Sequence, residues 1–91
     1  MMGCALPGLI HAYILNAADP GMPEHTNDYI HYLDLRRGQL RVRENEHETI
    51  YRAPAMIQLH AHLPHSWQAV VDGTIVYNLH PPQGVAHDDE R

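Results

Sequence analysis

Apolar and polar residues alternate along most of this chain, and the alternation is broken every eight to ten residues by Gly, Pro, Asn or Asp. A period of two is typical of β-strands with one buried face, and no apolar period of 3.6 residues persists for ten residues. The pattern predicts an all-β antiparallel fold with at least six strands. The segments predicted as strands are Leu9–Asn16, Tyr29–Arg36, Gln39–Glu44, Glu48–Arg52, Met56–His60, His65–Val71 and Thr74–His80.

The same alternation predicts which side chains are buried. The inward residues share one parity within each strand, and the predicted core is Leu33, Leu35, Leu40, Val42, Ile57, Leu59, Trp67, Ala69 and Val76. The segment Asp19–Pro23 holds two prolines and is predicted to be a rigid loop.

Two glycine-containing dipeptides favour tight hairpins between consecutive strands. A two-residue turn at Arg37-Gly38 would pair Leu35 with Leu40 and His31 with Glu44. A two-residue turn at Asp72-Gly73 would pair Trp67 with Asn78 and His65 with His80. Both registers keep apolar residues opposite one another on a shared face.

Composition narrows the range of functions. The 91 residues are 44% hydrophobic with a formal charge of −5, and such a chain gives no electrostatic reason to bind nucleic acid. The apolar start is too short to cross a membrane and has no basic leader, and one cysteine fits a reducing cytoplasm. We expect one domain over residues 1–82 and a polar, disordered tail over residues 83–91.

Histidine is the one unusual feature, with nine in the chain. His25, Asn27, Tyr29 and His31 share the parity of the core residues that follow them, and His65 begins a later strand of core-facing parity. Three neutral imidazoles above an apolar floor suit a divalent transition metal. The alternative is that each is a hydrogen-bonded core residue.

These residues resemble the two motifs of the cupin family. The first motif is matched by His25-x-Asn27-x3-His31-x6-Gly38, and the second by the stretch from Pro54 to Leu63-Pro64-His65. The resemblance implies a cupin-like antiparallel β-barrel (a double-stranded β-helix, or jelly roll) that is commonly dimeric and binds Fe, Ni, Zn or Mn. It places metal ligands at His25 and His65.

The chain departs from the cupin pattern at two ligand positions. Asn27 stands where the second histidine of the motif usually is, and His31 stands where a glutamate usually is. The implied site therefore has three histidines with Asn27 as an optional fourth ligand. His62 also replaces the usual glycine before the turn, and we expect this turn to survive because histidine tolerates positive φ better than most residues.

Both His25 and His31 can reach one ion only if the strand is interrupted between them. Six residues of straight strand would separate their Cα atoms by about 20 Å. Asn27-Asp28 is turn-prone, so we expect a loop or bulge between Thr26 and Ile30.

Three further residues are candidate catalytic groups: Tyr29, Glu44 and His80. Tyr29 could donate a proton, Glu44 could orient the ring of His31, and His80 could act as an acid or base beside His65. The ordinary alternatives are a core tyrosine, a solvated carboxylate and a strand-end histidine.

The expected function is that of a metal-dependent enzyme acting on a small polar metabolite, of the isomerase, lyase or dioxygenase class. The first alternative is a non-catalytic small-molecule-binding or sensor module, and the second is a structural dimer with a vestigial pocket. We also expect a homodimer in which the apolar segment Leu9–Leu15 pairs with a second subunit.

Overall fold

The computed structural model describes residues 10–81 and folds them into eight antiparallel β-strands. The strands are β1 (Ile10–Leu15), β2 (Met22–His25), β3 (His31–Arg37), β4 (Gln39–Glu44), β5 (His47–Arg52), β6 (Ala55–Leu59), β7 (His65–Ala69) and β8 (Thr74–Leu79). The all-β prediction is confirmed. Residues 10–81 contain no helix that could cross a membrane.

The strands form two four-stranded sheets. Sheet A has the order β1-β8-β3-β6, and sheet B has the order β2-β7-β4-β5. Within residues 10–81 no strand of one sheet pairs with a strand of the other, so the two sheets face each other as a sandwich and do not close into a barrel.

The two predicted hairpins are wrong, because β3 and β4 lie in opposite sheets, as do β7 and β8. Strand β3 pairs with β6 and β8, so that Leu33 lies opposite Ile57 and Asn78. Strand β4 pairs with β5 and β7, and Glu44 lies beside His65. Glycine supplies a positive φ of 85° at Gly38, but the turn there carries the chain across the sandwich.

The link between β7 and β8 also crosses from sheet B to sheet A. The Asp72 carboxylate accepts the backbone N–H of Ala17 at 2.9 Å, and Gly73 N–H donates to the side chain of Asn16 at 3.1 Å. These contacts attach the Asp72-Gly73 turn to the loop after β1. His65 and His80 are therefore not cross-strand partners.

The predicted core is confirmed in full. All nine predicted residues are buried, with Leu33, Leu35, Leu40 and Val76 at 0% exposure. Thr74 is also buried and its hydroxyl lies within hydrogen-bond distance of the Val71 and Gln39 carbonyl oxygens, so that it connects β8 of sheet A to β4 of sheet B.

Strand β2 is an element that the sequence pattern did not predict. The segment Asp19–Pro23 was predicted as a loop, yet Met22 and Pro23 begin β2. A proline is tolerated here because β2 is an edge strand, where one row of N–H groups needs no partner in the sheet. The predicted tail at residues 83–91 and the residues before Ile10 lie outside the described residues.

Candidate functional site

Three strands bring histidines to one end of the sandwich. His25 ends β2 and lies opposite His65, which begins β7 of the same sheet. His31 begins β3 in the facing sheet. The predicted interruption between Thr26 and Ile30 is confirmed as a non-strand segment, and it carries the chain from sheet B to sheet A so that His31 faces the other two rings.

The rings of His25 and His65 meet at their Nε2 atoms, which are 3.2 Å apart. The Nδ1 atom of His25 is 2.9 Å from the Pro23 carbonyl oxygen, and that of His65 is 3.1 Å from the Leu63 carbonyl oxygen. A carbonyl only accepts, so each Nδ1 carries the proton that it donates. In the neutral rings, both Nε2 atoms then direct lone pairs toward each other, an arrangement that requires a proton or a cation between them.

His31 is the third member of the group and is fully buried. Its ring centroid lies 5.1 Å from that of His65, and its Nδ1 is 3.3 Å from the side-chain nitrogen of Asn27. Its Nε2 is buried without a hydrogen-bond partner among residues 10–81. Asn27 thus contacts the His31 ring, and it can serve either tautomer because an amide both donates and accepts.

Burial and repulsion by neighbouring histidines lower the pKa of three imidazoles, those of His31, His65 and His80. Burial, with the neighbouring histidines His65, His80 and His25, lowers the pKa of His31 from 6.5 to about 4, against a smaller opposing effect of Glu44. Burial also lowers the pKa of His65 and of His80. At neutral pH, these rings therefore offer lone pairs and need no deprotonation before ligating a cation.

Two of the three candidate catalytic residues join this cluster. The Tyr29 hydroxyl is 3.2 Å from Nδ1 of His80, within hydrogen-bond distance. The His80 ring stacks on that of His31, with centroids 5.2 Å apart and an interplanar angle of 13°. His80 reaches the cluster by following β8 in sheet A, and not through the predicted pairing with His65.

Glu44 does not orient His31 as the hairpin register suggested. Its carboxylate accepts the backbone N–H of His60 at 2.6 Å and lies 3.0 Å from Nδ1 of the same residue. The reason is the sheet topology, which places Glu44 beside His65 on β4 and β7.

His11 is exposed on β1, and its ring nevertheless borders the cluster. The ring of His11 lies 5.4 Å from that of His80. His11 shares the parity of Tyr13 and Leu15, which pack against the core, and this parity is the sequence signal for its position beside His80. His62 was expected to tolerate a turn, and it adopts a φ of 69° with its N–H donated to the Asn27 carbonyl.

The predicted convergence of three ligands is only partly formed. Within residues 10–81 no group of three or more His, Cys, Asp or Glu side chains has the arrangement that would hold a metal ion. The structure brings together the pair His25 and His65, with His31 as the adjacent buried ring.

The fold and this cluster define an all-β, two-sheet antiparallel sandwich with histidines at one end. Among solved structures, the chain is similar to a conserved protein of unknown function from Streptococcus pyogenes, SPY1581, with a TM-score of 0.74 and 14% sequence identity. The similarity covers 86% of this chain and 68% of that one, and it extends to the fold alone. No protein-family model matches the chain, and no curated protein matches it significantly.

Proposed function

We propose that this chain is a small cupin-type protein that binds one divalent transition metal through His25, His65 and His31. The observation that carries the proposal is the facing pair of Nε2 atoms at 3.2 Å, each belonging to a ring whose Nδ1 proton is held by a backbone carbonyl. Metal-ligating histidines use this same pattern, because the carbonyl fixes the tautomer and aims the other nitrogen.

The distance between the two nitrogens suits one ion. Two ligands at about 2.1 Å from a metal, with an angle of about 100° between them, are about 3.2 Å apart, and this angle lies between the octahedral and tetrahedral values. The Nε2 atom of the buried His31, which has no hydrogen-bond partner among residues 10–81, would be the third donor. An all-imidazole donor set suits Zn, Fe or Ni, with Mn as the weaker binder.

The groups beside the metal ligands favour an enzyme acting on a small polar metabolite. A bound ion would supply Lewis-acid polarisation of a substrate oxygen or activation of water. The hydrogen-bonded Tyr29 and His80 would exchange a proton with a substrate. Buried Leu33 and Leu59 form the apolar floor that excludes water below His31.

A second candidate is a non-catalytic small-molecule sensor with the same pocket. It is favoured by the contact between Asn27 and His31, which occupy positions where the cupin motif has a histidine and a glutamate.

An enzyme should convert at least one component of a polar metabolite mixture when loaded with metal, and the Tyr29→Phe variant should convert it more slowly. A sensor should bind a component and leave it unchanged.

Metal titration of EDTA-treated protein tests the site directly. We expect wild-type protein to bind one equivalent of Zn, Ni or Fe(II), and His65→Ala or His25→Ala to bind at least about tenfold more weakly. The control is His47→Ala, because His47 is exposed on β5 and should leave binding unchanged. Failure of wild-type protein to bind any of the four metals, or equal binding by His65→Ala and His47→Ala, contradicts the proposal.

A further inference from the structure

A groove of about 320 Å³ lies on the outer face of sheet B. Ser66 and Gln68 of β7 lie in its floor, Pro20 and Pro23 line one side, and Arg43 of β4 lines the other. The lining residues of β4 and β7 alternate with buried residues of the same strands, so the groove is separate from the histidine cluster between the sheets. Sites for small molecules have volumes of about 300–1,000 Å³, and the groove therefore suits a small metabolite.

The strand register places a carboxylate, a hydroxyl and a guanidinium in one row across this groove. Arg43 lies opposite Ser66 on the neighbouring strands β4 and β7. On the other side of β7, the register of β2 shifts by one residue, and this bulge places Pro23 and Glu24 together beside Ser66. Glu24 and Arg43 are therefore two strands apart, with about 10 Å between their Cα atoms at about 4.8 Å per strand.

The ion pairs in the groove leave one carboxylate and one guanidinium uncompensated. Among the described residues that line the groove, the charged ones are Glu24, Arg41, Arg43 and Glu48. The Nε atom of Arg41 is 3.3 Å from a carboxylate oxygen of Glu48, so these two charges compensate each other. Neither Glu24 nor Arg43 forms an ion pair with any of residues 10–81. The groove thus offers one negative and one positive group on opposite sides of Ser66.

The spacing of these two groups suits a small zwitterion. Side chains stand roughly perpendicular to a sheet, so the charged ends of Glu24 and Arg43 are also about 10 Å apart. An ammonium group on Glu24 and a carboxylate on Arg43 would each take up about 3–4 Å of this gap, which leaves about 2–4 Å between the two charged groups of the ligand. The ammonium nitrogen and the carboxylate carbon of an α-amino acid are separated by two bonds, which fits this interval.

The side of the groove next to Glu24 is apolar and is held in place. It is lined by Pro20, Met22 and Pro23. The side-chain amide of Gln68 donates to the Asp19 carbonyl at 3.1 Å, which attaches the loop before β2 to β7. An apolar side chain on the ligand can therefore pack against a surface that is already formed.

We propose that the groove is a binding site for a free α-amino acid with an apolar side chain. Its ammonium group binds Glu24, its carboxylate binds Arg43 beside the Ser66 hydroxyl, and its side chain packs against Pro20 and Pro23. The proposal does not depend on a metal, and its test uses metal-free protein.

The test is a ¹⁵N–¹H NMR titration of the full chain at neutral pH in EDTA, with the backbone amides of Ser66 and Gln68 as reporters. The probes are leucine, 4-methylpentanoate (leucine without its ammonium group) and 3-methylbutylamine (leucine without its carboxylate). We expect leucine to shift these amides saturably with a millimolar Kd, and each analogue to bind at least about threefold more weakly, because exposed ion pairs are weak. Absence of a saturable shift with leucine, or equal affinity for all three probes, overturns the proposal.

Two neutral variants assign each charge of the ligand to its partner. In Arg43→Gln the carboxylate of leucine has no partner, so leucine and 3-methylbutylamine should bind equally. In Glu24→Gln the ammonium group has no partner, so leucine and 4-methylpentanoate should bind equally. Both side chains are exposed, and neither variant removes a buried contact of the fold. A preference for leucine over these analogues that persists in both variants refutes the assignment.

Two controls separate the groove from general attraction to the surface. Arg52 is exposed on β5 of the same sheet and does not line the groove, so Arg52→Gln should leave leucine binding unchanged. Equal losses in Arg52→Gln and Arg43→Gln would overturn the site. Glycine carries both charges without a side chain and should bind more weakly than leucine. Equal affinity for glycine and leucine would refute the contact with Pro20 and Pro23.

Discussion

Acidification should destabilise the metal-free protein through His31. The ring is fully buried, and its pKa is lowered from 6.5 to about 4 by burial and by the neighbouring histidines. The unfolded chain therefore takes up a proton near pH 6.5, while the folded chain resists it. The contribution of the neutral His31 ring to the free energy of unfolding is fully present above pH 6.5, and it is lost as the pH falls toward 4.

The magnitude follows from the two pKa values. A difference of about 2.5 corresponds to about 3 kcal/mol at a pH below both values, of which about 2.5 kcal/mol is lost by a pH of about 4.5. Unfolding free energies of small domains are about 5–15 kcal/mol, so one buried imidazole removes a substantial share. The lowered pKa values of His65 and His80 act in the same direction.

The assay is urea denaturation in EDTA at several pH values between 7.5 and 4.5. Carboxylates also titrate in this range, so the informative quantity is the difference between wild-type protein and His31→Gln, which cannot take up the proton. We expect the wild-type free energy of unfolding to fall by about 2.5 kcal/mol more than that of the variant. The exposed His47→Gln should follow the wild type. Parallel curves for wild type and His31→Gln would refute the reasoning.

Three further predictions address packing and assembly. Leu33→Ala should lower the free energy of unfolding by about 2–5 kcal/mol in urea melts, because the side chain is fully buried; a loss below about 1 kcal/mol would contradict this. Gly38→Ala should lower the free energy of unfolding more than Gly73→Ala in the same melts. Both glycines have positive φ, but only a Cβ at Gly38 would clash with Thr74, so equal losses of stability would exclude this clash. We propose a symmetric dimer through the apolar outer side of β1, so light scattering at micromolar concentration should give a dimer that Ile14→Lys dissociates; a wild-type monomer would exclude it.

The buried residues were predictable because alternation in a strand does not depend on which strand it pairs with. Leu33 and Val42 point inward whether β3 and β4 are hydrogen-bonded neighbours or lie in opposite sheets. Strand pairing was not predictable for the same reason. A positive φ at Gly38 fits a hairpin and a crossing equally well, and the contact with Thr74 that accompanies the crossing is 36 residues away in the chain.

The candidate site was also predictable from the sequence only in part. Parity selected His31 and His65, and the turn-prone Asn27-Asp28 located the interruption before β3. The backbone carbonyl contacts that fix the tautomers of His25 and His65 could not be inferred. The first depends on the irregular register of β2, where Pro23 lies, and the second on the turn before β7, where Leu63 lies. The role of Glu44 was misassigned because it depended on the wrong hairpin register.

The buried polar atoms connect stability to the proposed function. His31 Nε2 and Trp67 Nε1 both lack a partner within residues 10–81. Each such atom lowers the free energy of unfolding by about 1–3 kcal/mol. This is a large loss for a small domain, which buries little apolar surface. A cation held by His25, His65 and His31 would remove the cost at His31 Nε2 in the folded state alone. Binding of a cation there would therefore also stabilise the fold, by an amount that grows with the cation concentration relative to its Kd.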